Sequence, residues 1–299
     1  MGIKFKKGYA HQLAGITAAV LVAAGMLAVP EVSAQVARTK HNLSTSYTAG
    51  NQGNRNNHLT GGTSDLTQIC VFCHTPHGAA TDKAPLWQRN IGPNGTGVTD
   101  LTSNGYQTYS SVNASASPTM DSPTRPVGSV SVACLSCHDG TQAINTLANY
   151  AGSGSKKWDD ASIGGSWTGG TTTADGKLTG MPNLGKDLQN DHPIGVHYGG
   201  GLDATNAVSG TKDPAFRKVQ SVPGGVNGTP VWYVESSGNS ARDKKDIQLF
   251  TRKADPVADT GDLTPYVECS SCHDPHMDEK LFLRVTAEGS QICLACHDK

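Results

Sequence analysis

Cys269-Ser270-Ser271-Cys272-His273-Asp274-Pro275-His276 places two thiols three positions apart, an imidazole directly after the second, and another imidazole three residues further on. Thiols at that spacing can bond to the two vinyl groups of one haem while the adjacent imidazole turns onto its iron as proximal ligand. The same Cys-x-x-Cys-His pattern recurs at Cys70–His74 (CVFCH), Cys134–His138 (CLSCH) and Cys293–His297 (CLACH), and the four copies consume all eight cysteines. A disulfide framework has no use for a histidine after every second cysteine. Zinc chemistry does not require His at a fixed next position four times over, and a thioredoxin-like pair needs a βαβ context that these segments lack. The predicted cofactor is therefore haem c, four groups, attached through Cys70, Cys73, Cys134, Cys137, Cys269, Cys272, Cys293 and Cys296. His74, His138, His273 and His297 are the expected proximal ligands.

Outward from these motifs the chain repeats itself. Gln68–Ala79 (QICVFCHTPHGA) parallels Val267–Met277 (VECSSCHDPHM), and Val132–Asp139 (VACLSCHD) parallels Ile292–Asp298 (ICLACHD). Lys40-His41-Asn42-Leu43-Ser44 precedes the first pair and Asp191-His192-Pro193-Ile194-Gly195 the second. The expected organisation is a signal peptide over 1–34, an N-terminal dihaem unit over 35–150, a Gly/Ser/Thr-rich linker over 151–180 and a C-terminal dihaem unit over 181–299.

The sixth iron ligand separates carriers from enzymes, because an iron capped on both faces passes electrons while an open face can bind substrate. Beyond the proximal residues, the chain after position 34 holds His41, His58, His77, His192, His197 and His276. His77 and His276 lie too close in sequence to their own proximal histidines to cross to the opposite haem face, so each should cap a neighbouring haem. Repeat symmetry gives His41 and His192 the other two places, leaving His58 and His197 as surface or propionate partners. Met120, Met181 and Met277 lie in no ligand motif. His41 precedes the polar stretch Thr45–Thr63, and on that arm it is expected to cap a haem of an adjacent subunit, with its own chain as the alternative.

Composition sets the fold class. Hydrophobic residues make up 36%, aromatic residues 6%, and 35 residues are glycine. That is too little apolar material for an ordinary core at this length. The expected fold is a mostly irregular, coil-rich multihaem cytochrome c, with short helices at the CxxCH motifs, a few short strands, and a core formed by stacked haems. Gly92–Ser117 and Ala151–Gly180 show no periodicity and read as loops. Thr141–Tyr150 should extend the second motif into a helix, Val231–Val234 with Ile247–Arg252 should form a hairpin, and Pro76 and Pro275 should stop any helix early. A net charge of −1 argues against nucleic acid as a partner. Lys4, Lys6 and Lys7, the apolar run Ala14–Val29 and the small residues Val32-Ser33-Ala34 read as a signal peptide cleaved before Gln35, with no transmembrane span afterwards.

The runs KHNLS, QICVFCHTPHGA, DHPIGV, YVECSSCHDPH and GSQICLACHDK resemble the doubled-CxxCH multihaem c-type cytochromes, a family of exported bacterial electron carriers. Within that family the chain resembles the OmcE-type extracellular tetrahaem filament cytochromes. The resemblance implies bis-histidine iron throughout, an unbroken haem stack and an axial ligand exchanged between subunits. Its expected partners are redox-partner cytochromes or extracellular electron acceptors, and further copies of itself as a homopolymer outside the cell or on its surface. Two alternatives stand beside it: a monomeric periplasmic shuttle, and a multihaem reductase of nitrogen oxyanions with one open haem.

Overall fold

The computed structural model describes residues 35–44, 58–60, 69–79, 86–89, 105–108, 126–144, 147, 166–168, 172–202, 211–226, 228–239, 241–255 and 260–298. The leader, Met120 and most of the stretches Thr45–Thr63, Gly92–Ser117 and Ala151–Gly180 lie outside them. Val36–Lys299 forms one compact unit, separate from Met1–Gln35. No helix of the described residues is long and apolar enough to cross a membrane.

Regular structure is concentrated toward the C-terminus. Strand β1 (His58–Thr60) pairs antiparallel with β2 (Ser166–Thr168). A second, five-stranded antiparallel sheet holds β3 (Val196–His197), β4 (Val219–Val226), β5 (Thr229–Val234), β6 (Ile247–Asp255) and β7 (Thr260–Val267) in the order β3-β7-β6-β5-β4. The expected hairpin is its centre, with Trp232 opposite Leu249 and Val234 opposite Ile247. β-Branched and aromatic side chains supply the strand preference here, and alternation turns Ile247 and Leu249 inward beside Val234. Sequence reading missed β4, where Pro223-Gly224-Gly225 interrupts the pattern. The interruption is a bulge between Val222 and Val226. Gly225 is required there, since a Cβ would stand 1.8 Å from the Thr229 carbonyl oxygen.

Among the described residues the buried apolar side chains gather in three small clusters, and two of them are built around motif cysteines. Leu43, Val71, Phe72, Ile144 and Leu178 gather beside Cys73 and Cys137. The sheet's inner face, with Val196, Tyr198, Val234, Ile247 and Leu249, packs on Ala295 and Cys296 of the last motif. Val127, Val132, Leu135 and Leu188 form the third cluster, against Trp87 and Tyr106. Leu178 comes from the stretch read as linker; it reaches the first cluster because Thr172 bridges Leu178 and Ala143 bridges Lys177.

Helix α1 (Ser129–His138) carries the second motif but does not continue into Thr141–Ile144. The Asp139 carboxylate accepts hydrogen bonds from both the Thr141 amide and the Thr141 hydroxyl at 2.8 Å, and Gly140 follows in the left-handed region at φ 70°. A side-chain acceptor and a left-handed glycine together end a helix. The next residues turn away instead, with the Ile144 amide donating to Gly176. The remaining short helices, α2 (Cys269–Cys272) and α3 (Gln291–Leu294), lie on the third and fourth motifs, while Cys70–Phe72 of the first forms one 3-10 turn.

Candidate haem-binding site

Three of the four motifs are held by the same pair of backbone hydrogen bonds. At the first, the Cys73 carbonyl accepts from the Gln88 amide at 2.9 Å and the Thr75 amide donates to Leu86 at 2.8 Å. At the third, the Cys272 carbonyl accepts from Arg284 and the Asp274 amide donates to Phe282, both at 2.8 Å. At the fourth, Cys296 accepts from Arg217 at 2.8 Å and Asp298 donates to Ala215 at 2.7 Å. Each histidine is thus fixed between two backbone bonds, although the motif helices are too short to hold it alone.

Ring orientation is set the same way. The Nδ1 atom of His138 lies 2.7 Å from the Pro182 carbonyl, and that of His273 lies 2.8 Å from the Leu281 carbonyl. Nδ1 donating to a carbonyl fixes the tautomer that presents Nε2 for metal binding.

Two further histidines face proximal ones. His41 lies with its ring centre 6.2 Å from that of His138, and His276 lies 6.2 Å from His74. Two imidazoles on opposite sides of one metal, each with a metal–nitrogen bond of about 2 Å, have ring centres roughly 6 Å apart. The interplanar angles, 71° and 13°, are both compatible with this, because ligation leaves rotation about the bond free. His276 also directs Nδ1 to the Asp274 carboxylate at 3.2 Å. Burial pushes the Asp274 carboxyl up, but the His276 hydrogen bonds and Arg284 outweigh it and hold it at about 2. A carboxylate behind an imidazole raises the ring's basicity toward a metal.

His41 is packed within its own chain, beside the motif histidines, which is the arrangement the own-chain alternative requires. Leu43 is anchored in the cluster with Val71 and Phe72, the Asn42 amide group bonds back to the Ala37 carbonyl at 3.0 Å, and Phe282 stacks on the His41 ring at 4.2 Å. Although part of its surface stays accessible, His41 is densely surrounded. Burial and the neighbouring His138 push its pKa down to about 3, leaving the neutral imidazole that metal binding requires.

The other sequence-predicted residues fall out as follows. His77 and His192 are exposed, and His192 Nδ1 approaches the Pro193 carbonyl at 3.0 Å. His197, five residues on, is tied into the sheet, with Nε2 at 2.5 Å from the Tyr266 hydroxyl and 3.2 Å from the Ala254 carbonyl. His297 packs against Phe216, ring centres 4.5 Å apart. Met181 is exposed and Met277 buried.

None of the eight cysteines is in a disulfide, and no three or more His, Cys, Asp or Glu of the described residues converge as a metal-ion cage. The thiols instead run motif to motif. Cys137 stands beside Cys73, whose pKa burial pushes up to about 12. Cys134 and Cys269 share a hydrogen bond. Cys272 neighbours Cys296, and burial raises these two to about 11 and about 12.

Glu268 fastens the middle of this row, and sequence reading missed it. Its carboxylate, 1% exposed, accepts from the Gly128 amide at 3.0 and 3.1 Å, from the Ser131 hydroxyl at 2.5 Å and from Arg252 at 2.9 Å. Ser131 also accepts the Cys269 amide, and Arg252 reaches the Pro126 carbonyl. Burial raises the Glu268 carboxyl above its ordinary range, while Arg252, Ser131 and the Gly128 amide pull it back. The result joins the starts of α1 and α2, and so motifs two and three. The run Glu268-Cys269-Ser270-Ser271 carries the local signal, a capping box, but nothing in it names Gly128 or Arg252.

Haem c fits this set. Besides paired thiols and opposed imidazoles, Trp87 Nε1 and Arg89 Nε are buried donors without a partner. Arg89 is fully buried, and among the described residues its remaining nitrogens bond to the carbonyls of Ile144, Ser136 and Ala143. A buried guanidinium with no carboxylate partner among the described residues suits a group that brings its own anions, as haem propionates do.

Residues 264–299 match the family model of the doubled CXXCH motif. No curated protein matches the chain. The match marks this segment as similar to haem-binding cytochromes of electron transfer, and the motif indicates covalently bound haem c.

Proposed function

We propose that the chain is a tetrahaem c-type electron-transfer protein with histidine on both faces of every iron. The observation that carries this reading is the pair of 6.2 Å imidazole separations, His41–His138 and His74–His276, within a row of adjoining CxxCH motifs. Proximal ligands are His74, His138, His273 and His297, and distal ligands are His41, His77, His192 and His276. When bound, haem supplies the one-electron couple. The chain's own residues then set spacing and exposure. Glu268 holds motifs two and three together, the Pro182 and Leu281 carbonyls orient His138 and His273, and Phe282 covers the outer face of His41. With both axial positions filled by histidine, no substrate position is left, which separates this reading from a nitrogen-oxyanion reductase.

The leader pattern supports export, where haem attachment and an oxidising compartment coincide. The resemblance to filament cytochromes supports a homopolymer at the cell surface, transferring electrons to partner cytochromes or extracellular acceptors. The position of His41 against its own His138 favours the second reading, a self-contained periplasmic shuttle, since no ligand then has to come from another subunit. Mass spectrometry of the exported protein should find four haems and an N-terminus at Gln35, with only low-spin iron by electron paramagnetic resonance. His41→Ala and His276→Ala should each produce one high-spin iron without loss of a haem, and His41→Ala should do so in a monomeric preparation. A wild-type protein with a high-spin fraction that binds nitrite would overturn the assignment.

A further inference from the structure

The first and third motifs are structurally equivalent beyond their spelling. Cys73 and Cys272 accept from Gln88 and Arg284, and Thr75 and Asp274 donate to Leu86 and Phe282. His74 bridges Trp87 as His273 bridges Leu283. Leu86 and Phe282, the two acceptors, even share the left-handed backbone, at φ 57° and 59°. This equivalence maps His74 onto His273 and His77 onto His276.

The observed pairing of His74 with His276 joins one motif's proximal ring to the other motif's downstream ring. When two equivalent elements meet about a local two-fold axis, a contact between i and j implies the reciprocal contact between their counterparts. The counterpart of His74–His276 is His273–His77. Reach allows it, because the three-residue steps from His74 to His77 and from His273 to His276 each span at most about 10 Å. His273 meanwhile has Nδ1 committed to the Leu281 carbonyl and Nε2 directed away from it.

We propose that the two halves exchange distal ligands reciprocally, His276 capping the iron held by His74 and His77 capping the iron held by His273. This rests on the tetrahaem reading above and deepens it. His41 serves the iron of His138, so His192, its counterpart in the second half, falls to the iron of His297.

The test is spectroscopic and uses the full-length exported protein. His77→Ala should retain four covalent haems by mass and show one high-spin iron, restored to low spin by added imidazole. The double variant His77→Ala/His276→Ala should show two, since the residues serve different irons. In a chain lacking the third haem, Cys269→Ser/Cys272→Ser, the added His77→Ala change should create no new high-spin iron. His77→Met keeps a sixth ligand and protects the fold; it should stay low-spin and raise the potential of a single haem. A wild type carrying fewer than four haems overturns the tetrahaem reading itself. A tetrahaem protein that stays wholly low-spin as His77→Ala, whose His77→Met form titrates like wild type, or in which the third-haem deletion leaves the His77→Ala signal intact, overturns the exchange alone.

Discussion

Glu268→Ala removes the acceptor shared by the Gly128 amide, the Ser131 hydroxyl and the Arg252 guanidinium. Arg252 has a side chain only 13% exposed, so the change leaves a nearly buried charge without its partner. Breaking a buried pair in this way costs about 3–5 kcal/mol. The orphaned Gly128 amide keeps the estimate toward the upper end, at about 1–3 kcal/mol for an unsatisfied buried donor in isolation. For a chain of this size each kcal/mol moves the melting temperature by about 2–4 °C, so the expected drop is roughly 6–20 °C. Differential scanning calorimetry of the haem-loaded protein measures it. A shift smaller than about 2 °C would refute the argument that this carboxylate joins motifs two and three. The pH profile provides a second check. The raised Glu268 pKa means that the folded chain holds a proton over a range in which the unfolded chain has released it. Stability from this group is therefore greatest below the ordinary Glu range and falls as pH climbs through the raised value. The Ala variant should lose that slope.

Gly128→Ala places a Cβ 2.5 Å from Glu268 Oε1 and should cost about 1–3 kcal/mol; combined with Glu268→Ala the clash disappears, so denaturant melts of the double variant should show less than the sum of the two losses. Asp274→Asn removes the carboxylate behind His276 and makes that ring a weaker ferric ligand. A tenfold change in ferric preference corresponds to about 59 mV for one electron, so a redox titration should show one haem raised on the order of 60 mV and the others little changed. Protein produced without haem attachment should show no cooperative melt by circular dichroism, because its apolar clusters are small and include the motif cysteines; a sharp transition there would mean that the polypeptide folds without the cofactor.

The parts of this molecule legible in sequence are those whose signal is local. Cys-x-x-Cys-His is read from five consecutive residues, and the β5–β6 hairpin from two β-branched, aromatic runs. What was not legible is of two kinds. The helix expected to run on from the second motif stops instead at Asp139 and Gly140, and of the expected Thr141–Tyr150 the described residues Thr141–Ile144 are not helical. The packing of Leu43 in its cluster and the stacking of Phe282 on His41 are likewise not written in the residues around His41. Long-range partners left no trace at all. Glu268 and Gly128 are 140 positions apart, and neither neighbourhood carries a pattern that selects the other. The histidine pairs lie between these extremes: the repeat singles out His41 and His276, but only the folded chain brings them to His138 and His74.

The partnership of His74 with His276 also constrains how the protein is made. On the proposed export the chain would emerge on the far side of the membrane from its N-terminus, so that the first motif would meet the haem-attachment machinery long before His276 appears. On the proposed ligation, that iron waits with one face uncovered through most of translocation, exposed to water, peroxide or any small ligand in the compartment. Closure comes late, when the third motif arrives, and it draws the early and late parts of the chain together in one event. An export intermediate stalled before residue 276 should therefore carry an early haem that behaves as an open, reactive centre rather than as an inert carrier, and the cell has reason to degrade such a fragment promptly.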